Sequence, residues 1–198
     1  MKRILILILV WSLLLISRGV GQRRSVVIDF NKTADGKVLD VSLTGRLVAN
    51  SYLAAFGVTL SDVTPGTQVV ILDLRRLYEG QASRGTSGNN ALAHIGSNDP
   101  VSFTMNFKTP LQAVKFTRPP LMAGPTGVTL PEWKATALDA NGRALDEGGE
   151  SLGSYYSDAP GKTFTLKGPG LKAVRFDSNN HQFAAFNAVI IDGLTLIE

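Results

Sequence analysis

The reactive inventory of this 198-residue chain is short: 16 carboxylates, two histidines and no cysteine. Without cysteine there is no thiol nucleophile, disulfide, thiolate zinc site or iron–sulfur cluster. His94 and His181 lie in no H-E-x-x-H pattern, and two imidazoles cannot make a histidine-rich zinc site. No Walker-type glycine loop is present to cradle phosphate. Glycoside hydrolysis needs two carboxylates at a set separation, which the order of acids along a chain does not reveal. The residues give little support to catalysis, and no enzyme is expected.

Groups suited to non-covalent recognition are better supplied. Tyr155 and Tyr156 are adjacent, so in an extended segment one of the two phenols must point outward. Asn179, Asn180 and His181 concentrate donors and acceptors just before the last apolar segment, and Asn89, Asn90 and His94 do the same in a Gly/Ser/Asn-rich stretch. These residues could rim a ligand site or be solvated loop positions. Trp133 shares its face with Ala135 and Ala137, which favours core packing over ligand stacking. Asp192 has the parity of Ile190, Leu194 and Leu196, so it turns inward with them, and a buried carboxylate needs donors, a cation or a proton. Asp139 precedes Asn141-Gly142 and reads as part of a hairpin turn.

The elements that must hold these groups are strands. In the segment 101–107, Val101, Phe103, Met105 and Phe107 alternate with Ser102, Thr104 and Asn106. Val114 and Phe116, Phe164 and Leu166, and Val174 and Phe176 repeat that period of two. The first and last apolar segments, 26–30 and 188–197, are nearly continuous in apolar character and are expected to lie centrally. Asp35-Gly36, Pro65-Gly66, Asn141-Gly142, Pro160-Gly161 and Gly168-Pro169-Gly170 read as turns. Helix is confined to one or two turns over 49–56. Residues 67–79 mix strand and helix signals, with strand favoured in the first half. Residues 80–99 and 119–131 read as long loops.

A leader precedes this pattern. Lys2 and Arg3 are followed by an apolar run over 4–16 and by small residues before Gly21, so residues 1–21 read as a signal peptide, with 22–198 as one domain. The run is well short of the roughly 20 apolar residues of a membrane span, and no later segment is long enough to cross. Removing Lys2, Arg3 and Arg18 from 20 bases leaves 17 against 16 acids, a net charge of +1. That balance gives no footprint for nucleic acid. Asn31-Lys32-Thr33 fits a glycosylation acceptor.

Five patterns occur in one order: Ile28-Asp29-Phe30; Gly45, Val48, Tyr52, Gly57, Val58 and Leu60; Phe107, Pro110, Val114 and Phe116; Ala137, Asp139 and Gly142; and Ile191-Asp192-Gly193-Leu194. Over residues 26–197 this resembles the jelly-roll β-sandwich domain of exported bacterial proteins, including those with a PEP-CTERM sorting tail, and is similar to carbohydrate-binding modules. Leu60 stands where the family has an aromatic, and no Pro-Glu-Pro tail occurs, so the sorting function is not implied. The resemblance implies an all-β jelly roll of two antiparallel sheets whose first and last strands approach each other. It would bring Asp29 and Asp192 together, either as a structural calcium site or as aspartates capping neighbouring turns. The expected product is a secreted or periplasmic, non-catalytic module whose partner is a glycan, or alternatively another surface protein. A small hydrolase is the least favoured reading.

Overall fold

The computed structural model describes residues 24–41, 46–74, 90–95, 101–119, 132–150, 160–179 and 190–198. The leader lies outside them. Among these residues the elements in chain order are β1 (Ser25–Ile28), β2 (Arg46–Val48), α1 (Ala49–Ala54), β3 (Val58–Ser61), β4 (Gln68–Asp73), β5 (Asn90–Ile95), β6 (Val101–Arg118), β7 (Glu132–Leu138), β8 (Ala144–Glu150), β9 (Lys162–Asn179), β10 (Ile190–Ile191) and β11 (Gly193–Ile197). A seven-stranded sheet runs β1-β11-β6-β9-β7-β8, with β3 also on β6. A four-stranded sheet runs β10-β5-β4-β2. Every pairing is antiparallel. The chain is an all-β sandwich of two antiparallel sheets, as the alternation required.

The inner faces meet in one apolar cluster. Phe103, Met105, Phe116, Val174, Phe176 and Leu194 come from the large sheet, and Val69, Ile71, Leu92 and Ile191 from the small one. Phe103 stacks on Phe176 with centroids 4.9 Å apart, and Trp133 meets Phe164 edge-on at 4.8 Å. Trp133, Ala135 and Ala137 are all buried, so the tryptophan is core, as its face mates indicate. β4 was legible as a strand, but β5 falls inside a stretch read as loop. Its residues Ala91, Leu92 and Ala93 are buried on both faces, so it shows no alternation to read.

Two further expectations are corrected. β1 is not central: it ends the seven-stranded order, and Val27 is 66% exposed. β-branched residues suit an edge strand as well as a central one, so composition could not separate the two. Gly168-Pro169-Gly170 is no turn between strands but an irregularity within β9. Between the pairs Asn106↔Ala173 and Leu111↔Leu171, β6 carries the extra residues; between Leu111↔Leu171 and Ala113↔Lys167, β9 does. The bulges let two 18-residue strands bend together without breaking. Proline lacks an N–H, and Gly170 at φ +80° supplies the left-handed kink.

The last apolar segment is also divided. It pairs with β5 as far as Ile191, then crosses at Asp192 to pair with β6 from Gly193 and with β1 from Leu194 onward.

Candidate functional site

The bend in β6 opens a concavity at the surface. β3 pairs with residues 104–107 of β6, and β11 pairs with residues 113–117. Along the same edge, residues 108–112 carry neither. Ala49, Tyr52 and Leu53 bury one face of α1 at helical spacing. Gly57, at φ +75°, ends the helical turn and leads into β3. Its carbonyl accepts the Lys108 amide at 2.8 Å, tying the helix end to the bend. Arg24 O accepts the Glu198 amide at 2.9 Å and joins the outer strands.

The result is an open cleft of about 550 Å³, lined by Val26 and Val27 of β1, Phe56 after α1, Phe107, Lys108 and Thr109 of β6, and Arg24 and Glu198 at its ends. Phe56 is half-buried and packs 5.2 Å from the Tyr52 ring. Arg24 and Lys108 are exposed, and among the described residues neither they nor Glu198 form an ion pair. Lys172 Nζ donates to Lys108 O at 2.6 Å, placing a third cation beside the bend. An aromatic wall, an aliphatic floor and unpaired polar heads suit a small polar ligand held without covalent chemistry. Glu198 is the only acidic side chain among the described residues that line the cleft. None of Arg24, Phe56, Lys108 or Glu198 was legible as a site residue, because no motif joins positions up to 174 residues apart in sequence.

The residues singled out in the sequence fall elsewhere. Tyr155, Tyr156, Asn89, Asn180 and His181 lie outside the described residues. Asn179 ends β9, paired with Glu132. His94 does not rim a site: at 1% exposure it is a core residue, edge-on to Phe103 at 5.3 Å. Its Nε2 lies 2.7 Å from Thr67 Oγ1, and that hydroxyl donates to Thr64 O at 2.6 Å. With its proton so used, the hydroxyl accepts from Nε2–H, leaving Nδ1 as a buried acceptor with no partner. Burial lowers the imidazole pKa to about 4. Asn90 is likewise buried. Its amide donates to Phe30 O at 3.2 Å and Leu39 O at 2.9 Å, clipping the segment after β1 to β5.

Asp29 and Asp192 do lie at the same end of the β1–β11 pair, whose last paired residues are Ile28 and Leu194. Asp29 Oδ1 accepts the Asn31 and Lys32 amides at 3.0 and 3.1 Å, an aspartate-capped turn. Asp192 is fully buried, in keeping with its parity, and its backbone N–H donates to Thr117 O at 2.8 Å. Calcium takes six to eight oxygens. Among the described residues no three acidic or histidine side chains gather to hold a metal. Tyr52 OH donates to Lys32 O at 2.6 Å, and burial followed by the Asp29 charge raises its pKa to about 12. The Asn31 side chain is engaged on both sides: Nδ2 donates to Asp29 O at 2.6 Å and Oδ1 accepts the Asn90 amide at 3.1 Å. A glycan on Asn31 would break that clasp. The Asp139 turn is as expected, Oδ1 accepting the Asn141 and Arg143 amides at 2.8 and 2.9 Å.

The end of β6, one residue beyond Thr117, holds a feature with no sequence signal. Arg118, 3% exposed, gives Nε and Nη2 to the Glu150 carboxylate at 2.7 and 3.1 Å and Nη1 to Pro119 O at 2.7 Å. Lys162 Nζ stands 3.6 Å from the same carboxylate. Trp133, the cross-strand neighbour of Glu150, keeps a buried indole N–H without a partner. Gly149-Glu150-Ser151-Leu152-Gly153 also has the G-x-S-x-G spacing of a hydrolase nucleophile elbow. That elbow requires a strand-to-helix turn. Ser151, Leu152 and Gly153, where that turn would fall, lie outside the described residues; Gly149 and Glu150 close an antiparallel strand, with Gly149 against the Trp133 backbone and Glu150 bound to Arg118.

No known protein family matches the chain, and no characterised sequence relative was found. Its structure is similar to a fucose-binding module of Streptococcus pneumoniae, at 13% identity over 55% of this chain and 71% of that one, with a TM-score of 0.32. It is similar to the K1 cleaved adhesin domain of Lys-gingipain from Porphyromonas gingivalis W83, at 12% identity over 88% and 98% of the two chains, with a TM-score of 0.46. It is also similar to part of the arabinose-bound MgGH51 α-L-arabinofuranosidase, at 14% identity over 74% of this chain but only 23% of that enzyme, with a TM-score of 0.41. None of these likenesses carries a ligand over to this chain. Among the described residues no helix is long and apolar enough to cross a membrane.

Proposed function

We propose that this chain is an exported, non-catalytic binding module whose ligand is a glycan, seated in the cleft between β1, the end of α1 and the bend of β6. The cleft carries the reading. Its volume of about 550 Å³ lies within the range of small-molecule sites. Phe56 offers an apolar ring surface beside heads that can bond hydroxyl groups, and the surrounding strands hold these groups in place. Retention of the mature chain on immobilised polysaccharides tests this. Retention by at least one polysaccharide, reduced by Phe56→Ala at a temperature where circular dichroism shows the variant still folded, is expected. No retention across neutral and acidic polysaccharides would overturn the reading.

A structural calcium ion at Asp29 and Asp192 belongs to the same proposal. It is supported by two carboxylates at one end of the β1–β11 pair, one of them fully buried where the chain changes sheets. Calcium would raise the melting temperature of the parent but not of Asp192→Asn; an equal response in both dismisses the ion. The second reading, a surface domain that docks another protein, is favoured by Val27, 66% exposed on edge strand β1. It predicts association that Val27→Lys abolishes, with no dependence on sugar.

A further inference from the structure

We infer that the cleft selects an acidic saccharide, with Arg24 and Lys108 as its anion-binding pair. This rests on the proposed glycan-binding reading and names the ligand class within it. Among the described residues the cleft is lined by two cationic side chains, Arg24 and Lys108, and one acidic side chain, Glu198, and none of the three forms an ion pair there. Exposed cations in antiparallel sheets commonly find a carboxylate on the neighbouring strand; in this chain Lys134 pairs with Glu147, its diagonal neighbour on β8. Arg24 and Lys108 do not, although Glu198 shares their cleft, so both cations are available to an incoming anion. Lys172, fixed on Lys108 O at 2.6 Å, adds positive potential from the β9 side.

The two heads have complementary uses. A guanidinium binds a planar carboxylate through two parallel N–H bonds, whereas an ammonium acts as a point charge with three donors. Arg24 immediately precedes β1 and Lys108 lies at the bend of β6, and Val26, Val27 and Phe56 line the same cleft. A sugar ring in that groove can lay an apolar face on Phe56 while its acid group meets the cations. Glu198 has no donor of its own and would accept from ring hydroxyls. A net charge near +1 for the mature chain makes this a local property, distinct from the general attraction of a basic protein for polyanions.

The test uses the full mature chain in affinity electrophoresis through three polysaccharides: polygalacturonate, which carries carboxylates, dextran sulfate, which carries sulfates, and neutral galactan. The expected result is retardation by polygalacturonate at least tenfold stronger than by galactan. Arg24→Gln and Lys108→Gln should each weaken it about tenfold, and Glu198→Gln should strengthen it. Raising salt from about 0.05 to 0.5 M should weaken it further. Retardation by dextran sulfate that responds to the same two substitutions would support the anion pair and identify sulfate as the group bound. Galactan bound as tightly as polygalacturonate, with no response to either substitution, overturns the inference and leaves glycan binding standing. No retardation by any of the three overturns both. All three positions are at the surface or half-buried, so melting temperatures should match the parent.

Discussion

Lowering the pH should destabilise this protein through His94. The folded chain holds the imidazole neutral to about pH 4, against 6.5 for the unperturbed side chain, because burial penalises its charge and Nδ1 has no partner to share a proton. The unfolded chain therefore takes up a proton below pH 6.5 that the folded chain refuses until about pH 4. Stability from this group is complete above 6.5, falls as pH drops through the interval and reaches its full loss below 4. At about 1.36 kcal/mol per unit, the total loss is about 3 kcal/mol, of which about 2 is gone by pH 5. Urea unfolding at pH 7.5 and 5.0 should show it when the parent is compared with His94→Gln, which cannot titrate. The parent should lose about 2 kcal/mol more than the variant between the two conditions. Taking the difference removes His181 and the carboxylates from the comparison. Equal losses would refute the reasoning, as would a His94 ring resonance in the folded parent that titrates near 6.5.

Three further outcomes follow from the packing. Arg118→Ala leaves Glu150 buried without its guanidinium and should cost about 3–5 kcal/mol by denaturant unfolding, whereas Arg118→Met with Glu150→Leu should cost far less, because no buried charge is orphaned. Gly149→Ala would set a Cβ 2.3 Å from Trp133 O, a backbone atom that cannot swing aside, so β7 and β8 must separate; a loss of about 1–3 kcal/mol or more is expected in thermal unfolding. Asn90→Ala removes the donors to Phe30 O and Leu39 O and should speed amide exchange selectively over residues 29–41, at about 1–3 kcal/mol for each carbonyl left dry.

Strand type was legible because its signal is local. Phe164 and Leu166 alternate with exposed Thr163 and Thr165, and that repeat survives whatever the strand pairs with. The core position of Trp133 was legible for the same reason, since parity along a strand fixes the face; Asp192 is buried as expected, but at the point where the chain passes from β10 to β11 rather than within one strand. β5 escaped detection because burial on both faces erases alternation, and with it went the true place of His94 and Asn90. Gly168-Pro169-Gly170 has the composition of a turn; only the matching irregularity in β6 makes it a bulge.

The sequence by itself determined two layers of strands around an apolar interior, since short-range alternation leaves each strand a face that must be covered. Tertiary structure alone decided the cleft and the Arg118–Glu150 pair. Arg24, Phe56, Lys108 and Glu198 become neighbours only because β3 and β11 occupy different stretches of β6's edge, and Arg118 meets Glu150 only because β6, β9, β7 and β8 lie side by side. Such adjacency depends on register between distant segments, and no local pattern of residues encodes it.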